Sequence, residues 1–577
     1  MRDGDNFNRS KMPGHRQPLS LEGLSLGRVC QQLDSTCRRL QQLSQETSSN
    51  QVLSYAKQSI RPYYVNSLPS ILRTRVIDET SRMLYGPAPD GSTLISGPAP
   101  LYLLALLLGH DIKHLRVNLC CYYGCSHQTS LLKLLAHDGI ALESLELARS
   151  ALLRLDCKLL RTALQSMRNL RSLTLRNIAN DSVLQVIGKS CPKLVVLDVA
   201  CSMQVTDMGL NNLLLQIELR DKVATYPSSS ETSWSKLKAI ISKFKSRKRI
   251  EKRERQGILL EYCERKNLLC NTLKILNVAN TSVTSAGVLL ALAHVPHLES
   301  LADYNHMGRV VEIMNRGVIQ LKTPFNLTQA RSSRTTTARL ELLSQTCPRL
   351  EKIFISEPLH PPEALRLFPY VTCLSLQSVP ARKEWLSGFY DYLRTNGHRL
   401  RDLAVRITET DNPVQLDLRQ VFQHCPNLVS LSKTGAGVVW LSGQDPQPLR
   451  KLRRIQLGRT VTASALLKIL RLSPGLSSLH VHSCFDLTNG HLEGLLSDDN
   501  CLINSLNCFY VYEASKISVD VVLKILKSCG RLRKIGNLSN WGLDCDGVKI
   551  LRETLVGANL DVDLCPGAHW FWSNCIH

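Results

Sequence analysis

An α/β array of stacked strand–helix units behind an α-helical head is the fold class this sequence predicts. Three observations carry it: leucine at about one residue in six, a Cys-Pro phrase recurring with L-x-x-L-x-L spacing, and a second phrase in which Thr or Asp precedes Gly. At 577 residues the chain is too long for one compact core and needs several domains or an elongated array. With 44% hydrophobic residues it is not disordered throughout, and with only 5% aromatic it does not read as a β-sandwich.

The first phrase appears as Cys191-Pro192-Lys193-Leu194-Val195-Val196-Leu197-Asp198-Val199, again from Cys347-Pro348, and again from Cys425-Pro426. Looser copies begin near Leu142, Leu170, Leu273, Leu298, Val371, Leu400, Leu452, Leu476 and Leu532, mostly 21 to 29 residues apart. The second phrase is clearest in Val205-Thr206-Asp207-Met208-Gly209-Leu210, with relatives at Val283–Val288, Leu487–Leu492 and Leu543–Val548. L-x-x-L-x-L supplies the inward residues of a short strand. The Thr or Asp caps a helix, and that helix returns the chain to stack the next strand.

These residues resemble the cysteine-containing leucine-rich repeat of the leucine-rich F-box proteins and their relatives. The resemblance spans residues 110–564 and implies a leucine-rich repeat solenoid, a curved horseshoe with strands on the concave face and helices on the convex face. Cys191, Cys347, Cys425 and Cys529 then end helices and pack inward, while Cys201 and Cys484 follow strands. Two cysteine groups lie outside the pattern: Cys120, Cys121, Cys125 with His127, and Cys565, His569, Cys575 with His577. Neither has a zinc-site spacing, so buried thiols are expected, with no metal and no cofactor.

The remaining domains follow from composition. Residues 1–18 are polar and read as a disordered tail, 19–85 as the helical head, 86–109 as a linker and cap, and 565–577 as a C-terminal cap. In the head, Leu21, Leu24, Val29, Leu33, Cys37, Leu40 and Leu43 form an apolar stripe behind a Ser20 cap. A second helix begins near Leu68 and runs towards Leu84, and Gly86-Pro-Ala-Pro ends it. Ser20-Leu21 with Leu24 and Val29 resembles an elongin-binding box, and Leu68-Pro69 with Leu72 and Val76 resembles a cullin box. Their order before leucine-rich repeats is similar to that of the Zyg and Zer type substrate receptors of elongin-cullin ubiquitin ligases. The resemblance implies that Leu21, Leu24 and Val29 meet elongin BC, that Leu68, Pro69, Leu72 and Val76 face a cullin, and that a protein substrate lies on the concave face. It departs from the family at Ser25, where the pattern has Cys. Two other readings stand beside it: a non-ligase interaction scaffold, and an F-box-like Skp–cullin adaptor using Leu68 to Leu84.

After Leu215 the repeat fails until Leu273, and an insertion at about 217–270 holds a basic centre. Lys236 to Arg255 carries ten basic and two acidic residues, with Lys243, Lys245, Arg247, Lys248, Arg249, Lys252 and Arg253 at its heart. It reads as a solvated excursion, a nuclear targeting signal, or a patch for nucleic acid or anionic lipid. The net charge of +23 extends beyond it and points to an acidic partner. Val318 to Arg339 is expected to be a loop. With no apolar leader and no apolar run long enough to span a bilayer, the chain is expected in the cytoplasm, the nucleus or both. No nucleophile elbow, HExxH, P-loop or dinucleotide fingerprint sits in a suitable setting, so a non-catalytic binding subunit is expected.

Overall fold

The computed structural model describes residues 13–15, 17, 20–85, 100–119, 125–149, 155–215, 267–302, 305–316, 321, 323–409, 414–497 and 505–565. The basic patch, most of the 86–109 linker and almost all of the C-terminal cap lie outside them. The chain divides into two compact units: Leu19–Ala330, and Arg331–His577 together with Met1–Pro18.

In the first unit, the Ser20 hydroxyl accepts from the Gly23 amide at 3.0 Å and starts helix α1 (Leu21–Glu46). Its core stripe is Cys30, Leu33, Cys37 and Leu40, each at most 2% exposed. Leu24 lies nine residues before Leu33, about half a turn out of phase at 3.6 residues per turn, so it faces outward. Helices α2 (Ser49–Tyr55) and α3 (Arg61–Ser67) are joined by a π turn at Ala56–Ile60, and α4 (Ser70–Tyr85) follows. Helix α5 (Pro100–Leu107) is core on every side from Leu101 to Leu107, which makes the second half of the expected linker a buried cap.

Arg73 of α4 is 1% exposed and joins this head to the repeats. Its guanidinium donates to the Leu68 carbonyl at 2.9 Å, to the Leu107 carbonyl at 3.0 Å, and to Asp111. Buried Asp138 forms a second junction with Lys57 at 3.0 Å and Arg61 at 3.1 Å. Burial works to raise its pKa, but hydrogen bonds from His137 and Lys57 and the nearby Arg61 charge hold it below the ordinary carboxylate value.

Five parallel strands then stack in order: β1 (His114–Leu119), β2 (Ser144–Arg149), β3 (Ser172–Thr174), β4 (Val196–Asp198) and β5 (Ile275–Asn277). Leu115, Leu145, Leu173, Leu197 and Leu276 form one buried row across them. The insertion leaves this stacking in register, because β4 pairs directly with β5. Its two ends are clamped together: the Asn267 amide donates to the Leu214 carbonyl at 2.8 Å, and its side chain to the Leu213 carbonyl at 2.8 Å.

The Thr-Asp-x-Gly phrase has a physical reason. Thr206 caps the helix at Asp207–Leu214, accepting from the Met208 amide at 3.1 Å. Asp207 then accepts from the next cap, Thr284, through both its amide and its hydroxyl at 2.7 Å, and from the Gly287 amide at 3.1 Å. A Cβ at Gly287 would sit 2.6 Å from Asp207 Oδ1, and one at Gly209 would sit 2.2 Å from Asp181 Oδ1. Glycine is needed so that each helix can approach the preceding unit's carboxylate.

Strand β6 (Gln329–Ser333) carries the division between the units, and Thr336 caps a helix at Thr337–Thr346. The loop expected for 318–339 is corrected from Gln329 onward, where Ala330 and Ser332 are buried at alternate positions with strand periodicity; the described residues before it, 321 and 323–328, form no helix or strand. In the second unit the parallel order runs β7 (Lys352–Ser356), β8 (Cys373–Val379), β9 (Asp402–Ile407), β11 (Ser430–Thr434), β13 (Arg454–Thr460), β14 (Ser478–Ser483), β15 (Cys508–Glu513), β16 (Lys534–Gly536), β17 (Asp563–Cys565). Between β9 and β13 a short second ladder pairs β10 (Leu416–Asp417) with β12 (Val438–Val439).

Cys191, Cys347, Cys425 and Cys529 each cap a helix C-terminus and are fully buried, as the repeat predicts. Burial pushes the thiols of Cys191, Cys347 and Cys425 up to about 12, which removes them as thiolate nucleophiles. One core position breaks the pattern: Lys433 of β11 stands between Val405 and Leu457, fully buried, its amine donating to the Gly437 carbonyl at 3.0 Å. Within the tail expected to be disordered, His15 forms an antiparallel bridge with Leu560, and Gly14 accepts from the Asp561 amide at 2.8 Å.

Candidate protein-docking site

The head residues singled out by sequence divide by exposure. Leu21 is 81% exposed, Leu24 54% and Leu72 39%; Pro69 is exposed, and Val29 and Leu68 are half-buried. Val76 is 2% exposed and is corrected to a core residue, because it shares the inward face of α4 with Arg73, Ile77 and Thr80. Ile71, at 76% exposed, was not singled out, although its place beside Leu72 is the signal that finds it.

Two contacts set these residues together. Glu22 pairs with Arg75, and Cys30 lies near Thr80, so α1 and α4 run side by side in the same direction. Their first turns therefore share one end of the head. The exposed apolar side chains of those turns are Leu21 and Leu24 on α1 and Ile71 and Leu72 on α4. Single exposed leucines are ordinary on a protein surface, whereas several at one helix-pair end make a candidate contact site. Ser25 is exposed among them, a small polar side chain where the box pattern has Cys.

The outward face of the first sheet is charged but neutralised. Lys113 and Arg171 flank Glu143 at 2.9 and 3.8 Å, Arg116 meets Glu146 at 3.3 Å, Arg176 meets Asp198 at 2.7 Å and Lys274 meets Glu299 at 2.8 Å. The Lys113 hydrogen bond and charge hold the Glu143 carboxyl below its ordinary pKa.

In the second unit the outward face is aromatic. His480 of β14 stacks on Tyr510 of β15 with centroids 5.6 Å apart, and His482 lies 5.2 Å from Tyr512. Burial first, and then the Lys534 charge, pushes the His480 imidazole below its ordinary pKa. On the helix side, a cleft of about 690 Å³ is lined by Leu386, Tyr390, Gln415, Asp417 and Leu441 among others. It adjoins the unit between β11 and β13, where no helix forms and Trp440 packs edge-on against Phe422 at 5.3 Å.

Among the described residues, no three His, Cys, Asp or Glu side chains are grouped to hold a metal ion, and no helix is long and apolar enough to cross a membrane. Of the two cysteine groups outside the repeat, Cys120 and Cys121 lie outside the described residues, as do His569, Cys575 and His577.

No family model matches the chain, and no curated protein matches it. Among the solved structures that align with the chain are two complexes. One is a chain of the Rad7 and Elc1 complex from yeast, 12% identical, covering 90% of this chain and 93% of that one, with a TM-score of 0.33. The other belongs to the TLR13–ssRNA13 complex, 13% identical, covering 79% of this chain and 65% of that one, with a TM-score of 0.29. At these scores neither likeness says what this chain binds.

Proposed function

We propose that the chain is a non-catalytic substrate-recognition adaptor of a cullin-RING ubiquitin ligase, working in the cytoplasm, the nucleus or both. Its head binds elongin BC and a cullin, and its repeats, curving within each unit with strands on the concave side, hold a protein substrate. The observation that carries this reading is the exposure of Leu21 and Leu24 on α1 and of Ile71 and Leu72 on α4, two helices tied together by the Glu22–Arg75 pair. The box resemblance supplies the partner, and the Glu22–Arg75 pair supplies the reason both boxes lie at one end. The chain's role is then to raise the local concentration of a substrate near a ligase whose chemistry belongs to other subunits.

Affinity capture from cell extract tests this, using the intact chain and a variant carrying Leu21→Ser, Leu24→Ser, Ile71→Ser and Leu72→Ser. The intact chain is expected to recover elongin B, elongin C and a cullin, and the variant to lose them by about tenfold or more, the scale of losing an interface's anchor residues. Recovery of Skp in place of elongin moves the assignment to the F-box reading. Recovery of neither overturns the ligase role and leaves an interaction scaffold.

A further inference from the structure

We infer that the outward face of the second sheet, centred on β13 to β16, docks an acidic segment of a protein partner. This deepens the adaptor reading by giving the substrate side a place and a chemistry, and it stands equally if the chain is a scaffold.

Register defines the site. One outward row reads Ser375, Ala404, Ser432, Gln456, His480, Tyr510 and Gly536 across β8 to β16. Its first three members are small, and the side chains then grow into a wall made of Gln456 and the stacked His480–Tyr510 pair. His482 and Tyr512 repeat that pair one step along the strands. The neighbouring outward row holds Arg454 and Lys534, both exposed, on either side of Ser478 and Cys508.

Charge selects the occupant. Arg454 and Lys534 are in no ion pair among the described residues, and neither are the outward Lys352 of β7 and Arg406 of β9. Carboxylates on the same face are fewer: Asp402, and Asp563, which is the register partner of Lys534 across β16 and β17 but forms no ion pair with it. Unpaired cations on a fixed sheet, beside hydroxyl and imidazole groups, suit a chain bearing carboxylates. Single-stranded nucleic acid needs open aromatic faces for its bases to stack on. Here His480 and Tyr510 cover one another, and Tyr510 is only 6% exposed, which favours the peptide.

Fluorescence anisotropy on the full chain tests the inference, with three labelled probes: a peptide of alternating Glu and Gly, its Lys and Gly counterpart, and a short single-stranded oligouridylate. The acidic peptide is expected to bind, and to lose about tenfold in affinity in the double variant Arg454→Glu and Lys534→Glu, while Lys158→Glu with Lys189→Glu, an equal charge change on the helix side, costs less than about twofold. Replacing His482 and Tyr512 by Ala leaves the charge unchanged and is expected to weaken the same probe. Equal loss in both charge variants reduces the effect to net charge and overturns the site. Binding of the oligouridylate with none of the acidic peptide also overturns it. Thermal melts of each variant separate misfolding from lost contact. Elongin capture by the head is read independently, so failure here leaves that result standing.

Discussion

The two sheets are built from the same kind of strand but differ in how their outward charges are paired. In the first, cross-strand ion pairs such as Arg116–Glu146 and Lys274–Glu299 neutralise the outward face. In the second, Lys352, Arg406, Arg454 and Lys534 are in no ion pair among the described residues, and histidine and tyrosine pair on β14 and β15. Exposed ion pairs add little to stability, about 0 to 1 kcal/mol each, so the difference concerns recognition more than folding. A neutralised face offers a charged partner little net attraction, and an unpaired one steers it.

The largest expected effect tests how far the units are independent. Asp207→Ala removes three hydrogen bonds made by a buried carboxylate and leaves the Thr284 cap unsatisfied. It is expected to cost the first unit about 3 kcal/mol, with amide hydrogen exchange accelerated in residues 155–302 and little changed beyond 340. Equal acceleration in both units would show that they unfold together.

Lys433→Met probes the second unit's core. Burial pushes the Lys433 amine from 10.5 down to about 7, so the folded state binds fewer protons than the unfolded state between those values. Stability from this site therefore rises with pH across that window, at up to about 1.4 kcal/mol per unit. The Met variant is expected to be the more stable near pH 7, with its advantage shrinking towards pH 10. A stability difference that stays constant with pH would mean that the amine remains charged in the fold.

A smaller effect converts one face into the other. Glu143→Lys, Glu146→Lys and Glu299→Lys together break the pairs on the first sheet, and are expected to increase binding of the acidic peptide about threefold while changing stability by less than about 1 kcal/mol. The smallest effect comes from replacing 217–266 by a short Gly-Ser linker. Because Asn267 is bonded to Leu213 and Leu214, the melting temperature is expected to stay within about 2 °C, a change of under about 0.5 kcal/mol. A larger drop would show that the insertion packs on the repeats.

Much of the fold was legible because repeats write their physics locally. Cys191, Cys347, Cys425 and Cys529 fall at helix ends in phase with the leucines, and the Thr-Asp-x-Gly phrase encodes a cap, a bond to the next cap and the space for that bond. The faces of the head were legible only in part. Leu21, Leu24 and Leu72 are exposed, but Val76 belongs to the core, since a helical pattern fixes phase relative to its neighbours and cannot say which face the bundle buries. At residues 329–333 the sequence Arg331-Ser-Ser-Arg334 shows no apolar alternation and so suggests a loop, yet their strand buries Ala330 and Ser332.

By itself the sequence determined the repeating strand–helix unit, its caps, its buried cysteines and a helical head, all of which depend on residues close together in the chain. Tertiary structure alone decided which charges on the sheets are paired, that the aromatic rings of β14 and β15 stack, that Lys433 enters a row of aliphatic side chains, and that His15 reaches Leu560. Those outcomes depend on the register between strands 24 to 30 residues apart and on contacts between chain ends, distances over which local propensity carries no information.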